Sequence, residues 1–274
     1  MIRPADPGKV WESIRKKRPL VYQLTNTVAA SFQAEVTAAA GAAVVMSSHP
    51  GEARVIASGA DALLLNTGTP GGTSQEAFIE ALGGLRKGKP CLLDAVGYGL
   101  TPFRTGWINS LLEGGRVTAV KGNAAEMARL GGGSGSMKGV ESSRAHGVEK
   151  ALKEITKSET APVVAVATGK VDKIACGGSL WKVRGGAGLL PQVPASGCAL
   201  GSVMAACMAV TDPLSAATAA LLAFRMAAER APGAAGPASW RNAFVDALAA
   251  LEPEKLSSGM KERVEGPFPL EVLP

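Results

Sequence analysis

The sequence predicts an α/β protein with a mostly parallel sheet covered by helices on both faces. Three observations lead there. Six short apolar runs, each bounded by Gly, Pro, Asn or Asp, have the length and flanks of buried strands. They do not alternate apolar with polar, as a half-exposed antiparallel strand would. The segments between them carry charges on one face and apolar residues at helical spacing, and such βα alternation builds parallel sheets.

In chain order, an early helical stretch ends in the basic run Arg15-Lys16-Lys17-Arg18 before Pro19, a solvated helix end. Strands are expected at Val21–Leu24, Ala43–Met46, Ala62–Asn66, Cys91–Asp94, Val117–Val120 and Val163–Ala167. Gln75–Arg86 and Arg144–Ile155 read as helices. Ile174–Cys176 and Leu180–Val183, separated by Gly177-Gly178-Ser179, read as a hairpin attached to the sheet. Beyond it the pattern changes to consecutive helices over Cys198–Val210, Leu214–Glu229 and roughly Ala238–Leu251. Gly131 to Ser136 is expected to be a flexible surface loop. Without a long polar linker, residues 1–274 form a single domain, with 252–274 a surface-packed extension.

Composition narrows the function. The 274 residues are 46% apolar and 19% charged, which argues against disorder. Aromatic residues make up 4%, too few to stack along single-stranded nucleic acid, and the net charge of +6 alone names no nucleic-acid partner. His49 and His146 stand apart, so a multi-histidine metal centre is excluded. Cys91, Cys176, Cys198 and Cys207 follow no spacing pattern, and with no signal-peptide segment at the start they read as reduced cytoplasmic thiols. Cys198 to Val210, the most apolar stretch, is shorter than the ~20 residues needed to span a bilayer and predicts a buried helix, hence no membrane anchor.

Two nucleotide-binding patterns fail. Gly83 to Lys89 has the spacing of a phosphate loop, but Pro90 replaces the magnesium-binding hydroxyl and the order is helix to strand. No Gly-x-Gly-x-x-Gly follows the first strand. Chemistry gathers instead where strands end, which is where open parallel sheets bind ligands. Asp94 closes a strand and is placed to hold magnesium through water, or else to cap the next turn. Lys121-Gly122-Asn123 leads to Glu126 in the first turn of a helix, a second carboxylate for a shared metal and phosphate site or a capping box. Thr168-Gly169 offers a hydroxyl and amides to a nucleotide. Ala195-Ser196-Gly197-Cys198 opens the long apolar helix, so free N–H groups and the helix dipole make an anion site there. A thiol at that position is expected to have a lowered pKa, unless Cys198 merely starts a core helix.

These stretches, joined in order by Leu24-Thr25-Asn26, Asn66-Thr67-Gly68-Thr69, Asp94-Ala95-Val96-Gly97, Thr101-Pro102-Phe103-Arg104 and Ala235-Gly236-Pro237, resemble the hydroxyethylthiazole kinases of the ribokinase-like superfamily across residues 10 to 251. The resemblance implies a three-layer αβα fold and ATP-dependent phosphorylation of the primary alcohol of 4-methyl-5-(2-hydroxyethyl)thiazole in thiamine salvage. It implies Asp94 and Glu126 at a Mg2+ site, Lys121 and Thr168 at ATP, Gly197 in an anion hole and Cys198 beside the substrate hydroxyl as a positioning group or base. Asn26, Met46, Gly68 and Ala195 fall on the substrate side, and a homotrimer with pockets between subunits is implied.

The chain departs from the pattern mostly on that side. Ala95 replaces a proline, Lys121 an arginine and Ala195 a glycine; Thr27, Ser31, Glu35 and the Ala43-Val44-Val45 run before Met46 also differ. The alternatives are a kinase of a related heterocyclic alcohol such as hydroxymethylpyrimidine, which the retained Cys198 disfavours, or a thiazole-binding relative without catalysis.

Overall fold

The computed structural model describes residues 2–72, 74–132, 145–157, 162–186, 189–231 and 236–270. Its elements begin with α1 (Pro7–Lys17), β1 (Leu20–Leu24), α2 (Ala30–Ala40), β2 (Ala43–Val45), α3 (Pro50–Gly59), β3 (Ala62–Asn66), α4 (Ser74–Gly84), β4 (Cys91–Asp94) and α5 (Pro102–Glu113). There follow β5 (Ala119–Asn123), α6 (Ala124–Leu130), α7 (Ala145–Ile155), β6 (Val164–Thr168), β7 (Asp172–Cys176) and β8 (Ser179–Val183). A short 3-10 turn (Leu190–Gln192) leads to α8 (Ser196–Met208), α9 (Pro213–Arg230), α10 (Pro237–Ala249), α11 (Pro253–Arg263) and β9 (Val264–Pro269).

Four helix starts share one device. Asp6, His49, Thr101 and Asp212 each accept an amide hydrogen from the first turn, and each is followed by Pro at the first helical position. Proline there gives up an N–H that has no partner in any case.

Among the described residues the strands form one sheet in the order β2-β1-β3-β4-β5-β6-β7-β8-β9. The first six strands are parallel and the last three antiparallel. The chain winds outward to β2, then returns across β1 to β3, so a switch point lies between β1 and β3. Alternate residues supply the two faces. Leu64, Leu92 and Ala119 pack beneath α1, α2, α8 and α9, whereas Leu63, Leu65, Cys91, Leu93 and Val120 pack against α3, α4, α5 and α7. The three-layer arrangement is thus written in strand parity. The alanine-rich α8 and α9 pack closely, most of their residues buried.

Two expectations need correction. The fifth strand does not span Val117–Val120 but Ala119–Asn123, because Lys121 and Gly122 are buried and paired with β6, which carries the ladder on to an exposed Asn123 opposite Thr168. The segment after Glu252 is not merely packed on the surface: α11 buries Leu256, and β9 extends the sheet by pairing with β8. Gly131 and Gly132 follow α6, and the rest of the expected glycine loop lies outside the described residues. No helix among the described residues is long and apolar enough to cross a membrane.

Candidate active site

Strand register assembles the centre of the site. Asn66, Asp94 and Lys121 are direct partners across β3, β4 and β5, so their side chains project from the same face, toward α8. All three are buried. Lys121 Nζ donates to Asp94 Oδ1 at 2.8 Å and to the Gly197 carbonyl at 2.9 Å. Asn66 Nδ2 donates to Asp94 Oδ2 at 2.9 Å. The resulting chain runs from the sheet into the first turn of α8. Gly201 of α8 faces this pair, and a Cβ there would make only ordinary contact, 3.4 Å from Asp94 Oδ2.

Burial pushes the Asp94 carboxyl up, against the pull of Lys121 and Asn66. Burial alone would push Lys121 down, but the Asp94 carboxylate overrides it and holds the ammonium above its usual range. Lys121 was expected at an ATP-contacting position; its ammonium is turned inward, tying Asp94 to Gly197. Ala95, standing in for a proline, donates its N–H to the Lys121 carbonyl at 2.9 Å, a bond proline cannot make.

Glu126 combines two roles. It completes a capping box, accepting from Asn123 N at 2.7 Å, and it also accepts from Gly97 N at 2.8 Å across the β4 turn. Burial pushes its carboxyl up, the two amides oppose this, and the Asp94 charge adds to the rise. Among the described residues each oxygen of Asp94 and Glu126 accepts one protein hydrogen bond, which leaves each a further lone pair. Among the described residues there is no cluster of three or more His, Cys, Asp or Glu side chains that would hold a metal unaided. Two crowded carboxylates suit an ion such as magnesium, which keeps water and shares phosphate oxygens.

At the start of α8, Ala195 adopts the left-handed conformation, with φ +64°, and provides no side-chain cap. This geometry accounts for glycine in the family pattern at that position, since a Cβ is disfavoured there. Among the described residues the Gly197 and Cys198 N–H groups have no hydrogen-bond acceptor. A Cβ on Gly197 would meet nothing within 4 Å, so the space before it is open. Gly197, Ser196, Asn123, Thr168 and Gly169 line a cavity of about 870 Å³. Its size suits a nucleotide-scale ligand.

The Cys198 thiol does not behave as expected. Burial and the nearby Asp94 charge push it above its ordinary value of 9.0, outweighing Lys121 and the Asn66 and Asn26 amides. Burial thus overturns the expectation of a lowered pKa based on the helix dipole alone. Its Sγ lies 3.8 Å from Asn26 Nδ2.

Asn26 itself is buried at the β1–β3 switch point. Its Oδ1 accepts from Val28 N and Ala29 N, opening α2, and its Nδ2 donates to Asn66 Oδ1 at 2.7 Å. Gly68 N donates to the same Asn66 oxygen at 3.0 Å, and a Cβ on Gly68 would stand 2.6 Å from Asn26 Nδ2. Only glycine permits that approach. Met46 is half-buried just beyond β2. Ser31 and Glu35 bond to each other, and Glu35 pairs with Arg241, so these two departures belong to an exposed α2–α10 contact.

Sequence reasoning missed Asn66, the hub between Asp94 and Asn26. Its signals were a polar residue ending an apolar run and its place in Asn66-Thr67-Gly68-Thr69, a stretch that carries the family resemblance. It also missed Gln33, whose Nε2 donates to the Cys198 carbonyl at 3.0 Å, and Arg104, which binds the Thr67 and Val96 carbonyls.

Comparison with known proteins agrees with this geometry. Residues 11–254 match the model of the hydroxyethylthiazole kinase family. A hydroxyethylthiazole kinase of Methanoculleus marisnigri is 39% identical over 260 residues, covering 92% of this chain and 91% of that protein. One from Carboxydothermus hydrogenoformans is 38% identical, covering 94% and 97%. The solved structure of a hydroxyethylthiazole kinase protein from Pyrococcus horikoshii superposes with a TM-score of 0.82 at 30% identity, covering 94% of this chain and 98% of that one. A Bacillus subtilis pyridoxal kinase solved with ADP shares the ribokinase-like fold, with a TM-score of 0.58 at 15% identity. A parallel sheet whose polar strand ends meet a capless helix start, matched along nearly its whole length by these relatives, makes the chain a member of the hydroxyethylthiazole kinase family.

Proposed function

We propose that this chain phosphorylates the primary alcohol of 4-methyl-5-(2-hydroxyethyl)thiazole, with ATP as donor and Mg2+ as the assisting ion. The observation that carries the reading is the start of α8: the Gly197 and Cys198 N–H groups have no acceptor among the described residues, Gly197 lines an open cavity, and its carbonyl is held by the buried Asp94–Lys121 pair. Phosphoryl transfer depends mainly on positioning and on stabilising charge spread over the transferring oxygens. Gly197 and Cys198 amides stabilise that charge, and Lys121 fixes their direction by holding the Gly197 carbonyl. Thr168 and the adjoining glycine receive the nucleotide.

Asp94 and Glu126 would hold magnesium, in part through water, where it would neutralise phosphate oxygens. On the alcohol side, Asn26, Gly68 and Met46 shape the approach, and Ala195 borders it. A neutral Cys198 thiol, contacted by the Asn26 amide, orients the hydroxyl rather than removing its proton. Asn26, Gly68 and Met46 stand apart from the large cavity at an open edge of the sheet, and the thiazole pocket there is completed by a neighbouring subunit of a homotrimer, as the family resemblance implies. The four free cysteines support a reducing, cytoplasmic setting.

The test is direct. Purified protein with ATP and magnesium should release ADP when given the thiazole alcohol, and faster than with hydroxymethylpyrimidine. Faster turnover of the pyrimidine, or tight thiazole binding without ADP release, would overturn the assignment.

A further inference from the structure

The large cavity lies between two segments, and the side chain that joins them has no part in the phosphoryl transfer described above. One side of the cavity is the turn from β6 to β7, with Thr168, Gly169 and Asp172; the other is the segment after β8, with Gly185 and Gly186. These two segments belong to different parts of the chain, and turns of this kind are ordinarily the mobile parts of a fold. Here one buried side chain fastens both. Arg225, in the interior of the apolar α9, meets Asp172 with two nitrogens, Nε to Oδ2 at 2.8 Å and Nη2 to Oδ1 at 2.7 Å. Its Nη1 donates to the Gly185 carbonyl at 2.5 Å, and its Nη2 also donates to the Gly169 carbonyl. Asp172 Oδ1 in turn accepts from Gly169 N at 3.0 Å.

The far segment is built around this grip. Gly185 and Gly186 have φ +114° and +107°, a region that side chains rarely adopt. A Cβ on Gly186 would stand 2.8 Å from Arg225 Nη1. The Gly186 N–H is held from the other side by Glu229 Oε1 at 2.9 Å, one helical turn beyond Arg225. A guanidinium is suited to such a junction because its planar fork binds a carboxylate with two nitrogens and still has donors for carbonyls. An ammonium lacks that geometry.

We propose that the Arg225–Asp172 pair is the positioning element of the nucleotide cavity: it sets the distance between the Gly169 and Gly185 segments and so prepares the wall against which ATP binds. The pair contacts no reacting atom. Its effect falls on ATP rather than on the alcohol, whose residues lie at the β1–β3 switch point. The inference rests on the reading that this cavity receives ATP.

The experiment measures the KM for ATP, the KM for the thiazole alcohol and kcat in three variants, with circular dichroism and thermal denaturation to establish folding. R225K keeps the charge but loses the fork. The double variant D172N/R225Q removes both charges together, so no buried ion is left uncompensated. L190W fills the cavity from a wall outside either tether. R225K and the double variant should raise the ATP KM about tenfold, with the alcohol KM changed less than about twofold, because displaced positioning groups cost binding of the ligand they face. An unchanged ATP KM in folded variants, or a parallel rise in both KM values, overturns the inference. If L190W leaves the ATP KM unchanged, the ATP reading of the cavity falls and the inference with it. If L190W raises it and the tether variants do not, only the tether fails. In the unmodified protein, a non-hydrolysable ATP analogue should slow amide hydrogen exchange at residues 168–172 and 184–186 together; protection of one segment without the other also overturns the proposal.

Discussion

Two halves of the strand-end surface are built in opposite ways. Around Asp94, Lys121 and Glu126, every charged oxygen and the ammonium have partners, and the groups are buried or nearly so. Around Met46 and Val28, at the edge formed by the three-residue β2, side chains are half-buried or exposed, and Val28 is 66% accessible. Asn26 and Gly68 are firmly held there, and both are held by Asn66 of the first half. The contrast separates chemistry from selection. The hydrogen bonds described for the transfer end are made within one chain, while the alcohol end is a few side chains on an open edge. Departures from the family pattern fall on both, with Ala95 and Lys121 buried at the first and Thr27 exposed at the second.

Substitutions can break or sharpen this contrast. The largest effect is expected from Asp94→Asn, which should lower kcat about 100-fold or more while leaving the alcohol KM within about twofold, as for loss of a group acting in the transition state. A fully active variant would remove Asp94 from the transfer end. Next, Met46→Ala should raise the alcohol KM about tenfold, the loss of roughly 1.4 kcal/mol of apolar contact, with the ATP KM unaffected. A matching rise in the ATP KM would mean that the halves are not separate. The smallest effect belongs to Ala195→Gly, at their junction. Relief of the left-handed strain, about 1 kcal/mol, is partly offset by glycine's larger freedom when unfolded, for a net gain of about 0.5 kcal/mol in urea denaturation. A loss of stability would show that the Ala195 methyl packs productively.

The fold was legible because parity and punctuation both survive in one dimension. Ala62–Asn66 and Cys91–Asp94 appear in the structure with the bounds their flanking residues suggested. The end of β5 was not legible, since Lys121-Gly122-Asn123 reads as a polar turn until Asp94 is seen beside it. Strand ends marked Asp94, Glu126 and Thr168 as polar groups in one region. Contacts between distant segments left weaker traces. Asp172 and Arg225 are 53 positions apart, and the clue was an arginine in the interior of a helix that is otherwise uncharged until its last turn. The Cys198 pKa was misjudged because sequence reveals a helix start but not how deeply its first turn is buried.

The cover that α8 lays over the sheet carries a last consequence. By lying against Asp94 and Lys121, this helix keeps ions in the surrounding medium away from that pair, both of whose side chains are 2% accessible. Dissolved salt weakens exposed charges such as Arg184 and Glu265 within a Debye length of about 8 Å at physiological strength, but screens buried ones much less. The rim of the molecule thus loosens as ionic strength rises while its reacting centre does not, and one buried helix divides the two regimes.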